Sequence, residues 1–424
     1  MKEYNADLHF HGPYSGGVSK NMLLPVIAEQ AQLKGLHICS TADILHNEWL
    51  KHVKQNLKEE SNGIFGIEGR EIKFIIGTEV QDVNRVHHLV YLPDIASAEN
   101  LREKLLKFGN LDGYGNGRPR LKTNAEQTAE IVKDCNGIMG PAHAFTPYFS
   151  IYAHFGSMLS CYGKMLNEIY FMELGLSADS YFADLIADNH NYQFITASDS
   201  HSPYPHRIGR EFTRIKMKEP DFSSLKHALK EKDEALITLN AGLDPREGKY
   251  HLSACNKCYT KFSMLEAEAF KWKCPKCKAT IKKGVRDRIL ELANYKEEKH
   301  PKFRPPYMHI LSLAEIIQIA LGAKNVQAPE VQTLWRNFVD AFGNEINAVI
   351  DAPIDALSGL HADVAKNIEA FRKGYVIYIP GGGGQYGTPV ICKSAEEMVQ
   401  KQKELEKEIS GKSEFSGQKT LGEF

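Results

Sequence analysis

The chain has 424 residues, 42% apolar and 25% charged, enough for two or three buried cores and too mixed for a fibrous or disordered protein. No apolar run approaches the roughly 20 residues of a membrane span, and the first motif starts so early that no signal peptide is expected, so no membrane partner and a cytoplasmic, nucleoid-associated location are expected. The net charge of -1 hides an uneven distribution: Lys249 to Arg304 holds 15 Lys/Arg against 6 Asp/Glu, the footprint of a polyanion partner, with a solvated lysine face as the plainer alternative.

In chain order, Asp7-Leu8-His9-Phe10-His11 reads as a strand end on which His9 and His11 share one face. Asp7 lies on that face too and suits an acceptor for the His9 imidazole N–H. Met22 to Lys34 reads as a helix and Leu36 to Cys39 as a buried strand, followed by Thr41 to His46 with Asp43. Phe74-Ile75-Ile76 is a buried strand running into Gly77-Thr78-Glu79, and Leu89 to Leu92 is another, preceded by His87 and His88. Gly109 to Arg120, with Arg118 and Arg120, is a Gly-rich loop, either mobile or in contact with substrate. After a helix from Ala125 to Asp134 come the strand Gly137 to Gly140, leading to His143, then Ile169 to Met172, then Phe194 to Ala197, leading to Asp199 and His201. Alternating helices and buried strands predict a parallel sheet or barrel, with the polar residues at the C-terminal strand ends.

Cys255, Cys258, Cys274 and Cys277 form C-x2-C-x15-C-x2-C, the spacing of one structural Zn2+. The lysines around them, with Phe270 and Trp272, suit a nucleic-acid-facing module. Lys299 to Pro306 reads as a linker and Leu311 to Gly374 as helical. A strand from Tyr375 to Ile379 leads into Gly381 to Gly384, either a phosphate-approaching loop or a plain turn. Glu396 to Ile409 is a charged helix and Ser410 to Gly417 a polar tether.

The ordered set Asp7-x-His9-x-His11, Glu79, His143 and Asp199-x-His201 resembles the PHP (polymerase and histidinol phosphatase) superfamily over roughly the first 240 residues. The resemblance implies an α/β fold: a PHP-type distorted (β/α)7 barrel, here followed by a small zinc-ribbon-like module and a helical C-terminal region. The expected divisions are 1–245, 246–300, 301–395 and 396–424. It further implies two or three divalent ions (Zn2+, Mn2+ or Mg2+), with His9, His11, Glu79 and Asp199 at the first. Glu79 would bridge to a second, completed by His143 and one of His87 and His88, with His88 favoured. His201 would serve a third, for which Asp43 and His46 are the nearest further ligands. The catalytic set is then Asp199, Glu79, His9, His11, His143 and His201, and the chemistry is phosphoester hydrolysis.

The last residues, Gln418, Leu421 and Phe424, resemble a sliding-clamp (PCNA) interaction box. Barrel, cysteine module, Gly-rich loop and tail together resemble the endonuclease Q family of DNA-repair nucleases. That resemblance implies cleavage of double-stranded DNA on the 5' side of uracil, hypoxanthine, xanthine or an abasic site, leaving a 3'-hydroxyl and a 5'-phosphate. Tyr114, Phe145, Tyr148 and Phe149 are candidate pocket walls. The rival expectations are a phosphomonoesterase of the histidinol-phosphatase type and a non-catalytic clamp-tethered DNA-binding scaffold.

Overall fold

The computed structural model describes residues 1–410; Gln418, Leu421 and Phe424 lie outside the described residues. The chain divides into two compact units, one of 1–243 with 300–310, the other of 244–299 with the residues from 311 onward.

The first unit is built on a mixed sheet. Its strands are β1 (Lys2–Asp7), β2 (Ile38–Ser40), β3 (Lys58–Ser61), β4 (Ile64–Gly66), β5 (Lys73–Gln81), β6 (His87–Leu92), β7 (Ile138–Pro141), β8 (Phe171–Glu173), β9 (Gln193–Ile195), β10 (Phe212–Met217) and β11 (Ile237–Gly242). β5 is apolar on both faces from Phe74 to Ile76 and buried through Val80, as a central strand must be. β1, β2 and β5 run parallel, and so do β8 and β9. The expected parallel order fails at β5, β6 and β7, which pair antiparallel. The reason is the short connection of residues 82–86 between β5 and β6: a parallel crossover needs a dozen residues or more. Asp82 closes that turn by accepting from the Val86 N–H at 2.8 Å, and Arg85 sits at φ 66°. Isolated bridges from Met139 to Ile169 and from Phe10 to Ser200 join β7 to the β8–β9 pair and the extension of β9 to that of β1. A path of seven strands thus returns on itself.

Helices follow their sequence signals. Leu24–Lys34 buries Leu24, Ile27, Ala28 and Ala31, the i, i+3, i+4, i+7 stripe, and ends at Gly35 in the left-handed region (φ 99°). Ala125–Lys133 starts with a capping box between Asn124 and Gln127. The segment read as a linker is in part core. Arg304 is buried, forks onto Asp184 at 2.9 Å through Nε and Nη2, and donates to the Tyr192 carbonyl at 2.9 Å. Tyr307–His309 then adds a parallel strand to β11.

In the second unit, the short ladder Ala254–Cys255 with Ile281–Lys282 and the helix Met264–Ala269 enclose a small core of Cys255, Phe262, Ala267, Cys274 and Ile281. Helices Leu313–Leu321, Pro329–Phe342, Ile354–Leu360 and Ala362–Arg372 follow, then a hairpin of Val376–Ile379 and Thr388–Ile391. Buried Glu345 ties the first two helices by accepting from the Leu313 N–H at 3.1 Å and the Trp335 indole at 2.7 Å. The Gly-rich loop is no open phosphate cradle. Gly381 and Gly384 spend their N–H groups on the Arg246 and Lys249 carbonyls, at 2.8 and 2.9 Å. A Cβ on Gly381 would sit 2.5 Å from the Gly248 carbonyl oxygen, so glycine is needed for backbone-on-backbone packing against residues 246–255. No helix among the described residues is long and apolar enough to cross a membrane.

Candidate metal centres

The polar residues converge at one end of the strand path in the first unit. His9 and His11 follow β1, Glu79 lies near the end of β5, His143 follows β7, Glu173 ends β8 and Asp199 follows β9. β6 runs the other way, so its first residues reach the same end. Two groups result, each with ligand atoms within 4.8 Å of one another: His9, His11 and Asp199, and Glu79, His87 and His143. Glu79 joins them. Its Oε1 lies 3.0 Å from His87 Nδ1 and 3.0 Å from His143 Nε2, while its Oε2 lies 3.3 Å from His11 Nε2.

Each of the four imidazoles has its other nitrogen tied outside the site. His9 Nδ1 donates to Glu173 at 2.9 Å and His11 Nδ1 to Asp43 at 3.0 Å. His87 Nε2 faces the Gln81 side-chain oxygen at 3.2 Å, and His143 Nδ1 the Thr146 hydroxyl at 3.1 Å. These contacts orient the rings, so that the other nitrogen of each faces Glu79 or Asp199 and becomes a ligand lone pair when a metal displaces its proton. His9 Nε2, His11 Nε2 and Asp199 Oδ1 are buried yet make no hydrogen bond. Orphaned buried acceptors facing one another are costly unless a cation satisfies them, so this set fits divalent metal.

The backbone is strained here. Ala42, Asp43, His143 and Asp199 all have positive φ, at 55°, 34°, 28° and 45°. Each costs on the order of 1–3 kcal/mol and persists only where neighbours impose it. Trp49 imposes it on the Ala42–Asp43 turn, donating its indole N–H to the carbonyls of Thr41 and Ala42 at 2.8 and 3.0 Å.

The charges are interdependent. Burial alone would push the His9 imidazole down, but Glu173, Glu79 and Asp199 outweigh it and raise its pKa well above the usual value. Burial would raise Glu79, yet His87, Arg118 and His9 hold it well below the usual carboxylate range. Burial dominates at His87, which is pushed down to about 3, so that near neutral pH the cations holding Glu79 ionised are Arg118 and His9.

Three expected placements change. His88 faces away from Glu79: its Nδ1 meets the Tyr162 hydroxyl at 2.8 Å and its Nε2 lies 3.5 Å from Asp82. His87 takes its place because β5 and β6 pair Gln81 with His87 and Val80 with His88, which puts His88 on the other face. Asp43 is no ligand candidate in this geometry. It orients His11 and accepts from the Gly12 N–H and the Ser15 hydroxyl, both at 2.8 Å. Asp7 accepts from the backbone N–H groups of Ser198 and Gly209, at 3.0 and 2.8 Å, framing the Asp199 loop; Glu173 is the acceptor for His9. His201 has its ring 4.8 Å from that of His11 but belongs to neither group, and His46 stacks on Tyr14 at 4.2 Å. Of the aromatic guesses, Phe149 stacks on His87 at 4.8 Å, Phe145 packs on Tyr152, and Tyr114 is exposed. Sequence reasoning missed Glu173, although an acid ending the apolar run Phe171-Met172 repeats the signature of Glu79.

In the second unit Cys255, Cys258, Cys274 and Cys277 converge. Sγ separations of 3.4 Å (Cys255–Cys277) and 3.5 Å (Cys258–Cys274) are far beyond a disulfide. They approach the roughly 3.8 Å edge of a thiolate tetrahedron with metal–sulfur bonds of about 2.3 Å. Thr260 lowers the pKa of the Cys258 thiol, while contact with the other cysteines raises that of Cys277.

Residues 312–375 match the family described as the MJ0043 C-terminal domain. The protein MJ0043 of Methanocaldococcus jannaschii is 46% identical over 256 residues, 59% of this chain and 32% of that protein, so the chain spans about a third of that relative's length. The crystal structure of PfuEndoQ, a lesion-specific endonuclease from Pyrococcus furiosus, superposes with a TM-score of 0.87 at 45% identity, over 94% of this chain and 97% of that one. Endonuclease Q in complex with a 27-mer duplex bearing an abasic lesion at its active site superposes at 0.86 with 44% identity, over 94% and 98%. With such identity along nearly the whole of both chains, and with the metal-type residues gathered at one end of its sheet, the chain belongs to the endonuclease Q family.

Proposed function

We propose that the protein is a divalent-metal-dependent DNA-repair endonuclease. It hydrolyses the phosphodiester 5' of a deaminated base (uracil, hypoxanthine or xanthine) or an abasic site, leaving a 3'-hydroxyl and a 5'-phosphate. The observation that carries this reading is the Glu79 hub. One carboxylate joins two groups of oriented imidazoles, and the inward nitrogens of His9 and His11 make no hydrogen bond to any described residue. The likeness to a structure holding an abasic duplex supports DNA as the substrate.

His9, His11 and Asp199 would hold one ion, and His87 and His143 a second, with Glu79 shared between them. Divalent ions there supply a lowered pKa for water and charge neutralisation at the phosphoryl and leaving oxygens. The residues beneath fix that geometry: Glu173 grips His9 and, through its other oxygen, the His143 backbone N–H at 2.7 Å, while Asp43 grips His11. The seven-stranded closed path supports a distorted barrel as the scaffold. The cysteine module would hold one structural Zn2+. The basic residues around it would contact duplex backbone, and the tail ending in Gln418, Leu421 and Phe424 would engage a sliding clamp.

End-labelled duplexes carrying one uracil, hypoxanthine or abasic site test the reading, with an undamaged duplex and a phosphomonoester alongside, in Mn2+ and in chelator. A metal-dependent nick 5' of the lesion alone supports it. Phosphate release from the monoester with every duplex intact would move the site to the phosphatase class.

A further inference from the structure

Arg118 stands on the rim of the candidate metal centres and belongs to neither ligand group. Its Nη1 donates to Glu79 Oε2 at 2.9 Å, the oxygen that also lies 3.3 Å from His11 Nε2. The other guanidinium N–H groups bond to no described residue, and the side chain keeps 29% of its surface exposed beside a Glu79 that is 1% exposed. Donors therefore remain on Arg118 for a further acceptor beside Glu79.

The loop that carries Arg118 is held on both flanks. Gly115 and Gly117 donate to the Tyr14 carbonyl at 2.7 and 3.2 Å, and the Gln81 backbone N–H donates to the Pro119 carbonyl at 2.9 Å. Leu121 returns a bond to the Gln81 carbonyl at 2.8 Å, and Arg102 clamps Asp112 at 2.6 Å. Gly117 packs so closely that a Cβ there would meet the Asp43 carboxylate and Ser15. A side chain on such a frame loses little entropy on engaging a ligand.

A permanent guanidinium beside two candidate divalent-cation sites is repelled by the ions that fill them. Among the described residues Glu79 alone bonds it there, an anion joining the filled group would offset that repulsion further, and a planar fork of donors matches a phosphoryl group. We propose that Arg118 binds a non-bridging oxygen of the phosphoryl group undergoing hydrolysis, as a catalytic residue beyond the metal ligands. This rests on the phosphoesterase reading of the site but not on DNA being the substrate.

The test uses the full-length Mn2+-loaded protein and the variants Arg118→Ala, Arg118→Gln and Arg118→Lys, any folded one of which suffices. Inorganic phosphate binding is measured by calorimetry, metal content by mass spectrometry, and single-turnover nicking on an abasic duplex. The expected result is phosphate binding weakened about 10-fold or more in Ala and Gln and less in Lys, with metal content unchanged. Nicking should fall roughly 100- to 1,000-fold while duplex affinity holds within about threefold, and added guanidinium should recover part of the loss in Arg118→Ala. Phosphate affinity within about threefold of wild type overturns the proposal, as does loss of metal in step with loss of phosphate binding, which would make Arg118 a brace for Glu79. Weakened phosphate binding in the variants of a wild type that nicks no duplex would leave Arg118 standing and sink the DNA reading instead.

Discussion

Glu79 near the end of β5 and Glu173 at the end of β8 are both buried and do opposite work. Glu79 is surrounded by His87, Arg118 and His9 and stays ionised toward the centre of the site. Glu173 spends both oxygens on His9 and the His143 backbone, fixing a ring and a strained turn. Glu173→Gln keeps the size and one acceptor but loses the charge, so Mn2+ affinity should weaken about 10- to 100-fold with the fold retained, read by metal titration. Glu211 offers a pH test away from the metal groups. Burial pushes its carboxyl well above the usual range, although it accepts from the Leu243 N–H at 2.9 Å. A raised carboxyl pKa means that the unfolded chain loses this proton first as pH rises. Its contribution is therefore complete below the ordinary glutamate pKa and declines above it until the folded value is passed. Glu211→Gln should flatten the fall of thermal stability between acid and alkaline pH and make the protein more stable than wild type at the alkaline end. An unchanged pH slope in calorimetry would refute this. Much of this scale was legible in sequence: His9, His11, Glu79, His143 and Asp199 all end apolar runs. Partners distant in sequence were not, since nothing local ties Glu173 to His9, 164 positions away.

At the scale of elements, the β5–β6 hairpin decides which histidine faces the site. The sequence displays both strands but not their register, and a two-residue repeat makes His87 and His88 mutually exclusive. The five residues 82–86 were the available clue. An odd connection closed symmetrically pairs odd with odd positions, which sets His87 opposite Gln81 and so on the same face as Glu79. The four-cysteine spacing was legible because metal geometry is local. The Gly-rich loop was not, because its glycines answer to a surface some 130 residues earlier. The module's core of five buried residues is too small to hold a fold without a staple. Cys274→Ser should lower zinc content by about one ion per chain and open 254–282 to proteolysis, whereas unaltered zinc content would remove the metal from the account.

Over the whole molecule, the chain leaves its first unit at residue 243 and re-enters it at 300–310. Composition suggested a linker there, since Pro and Lys dominate the stretch. The buried Arg304–Asp184 fork, with the Arg304 guanidinium 3.2 Å from the Phe194 ring centroid, shows why one of its cations is core. Arg304→Ala leaves the buried Asp184 carboxylate to His300 Nδ1 at 2.7 Å and should cost about 3 kcal/mol, seen as a lowered midpoint in thermal unfolding. The basic excess of 249–304 is accordingly smaller as a surface than as a count, because Arg304 is buried against Asp184, an acid outside that stretch. The central claim, that one carboxylate couples two metal groups into a nuclease site, is tested most directly by Glu79→Gln on a labelled abasic duplex in Mn2+, with binding and nicking measured together. The account predicts lesion binding within a few-fold of wild type and a nick 5' of the lesion slowed by roughly 1,000-fold or more. Nicking at an undiminished rate by the variant would contradict it.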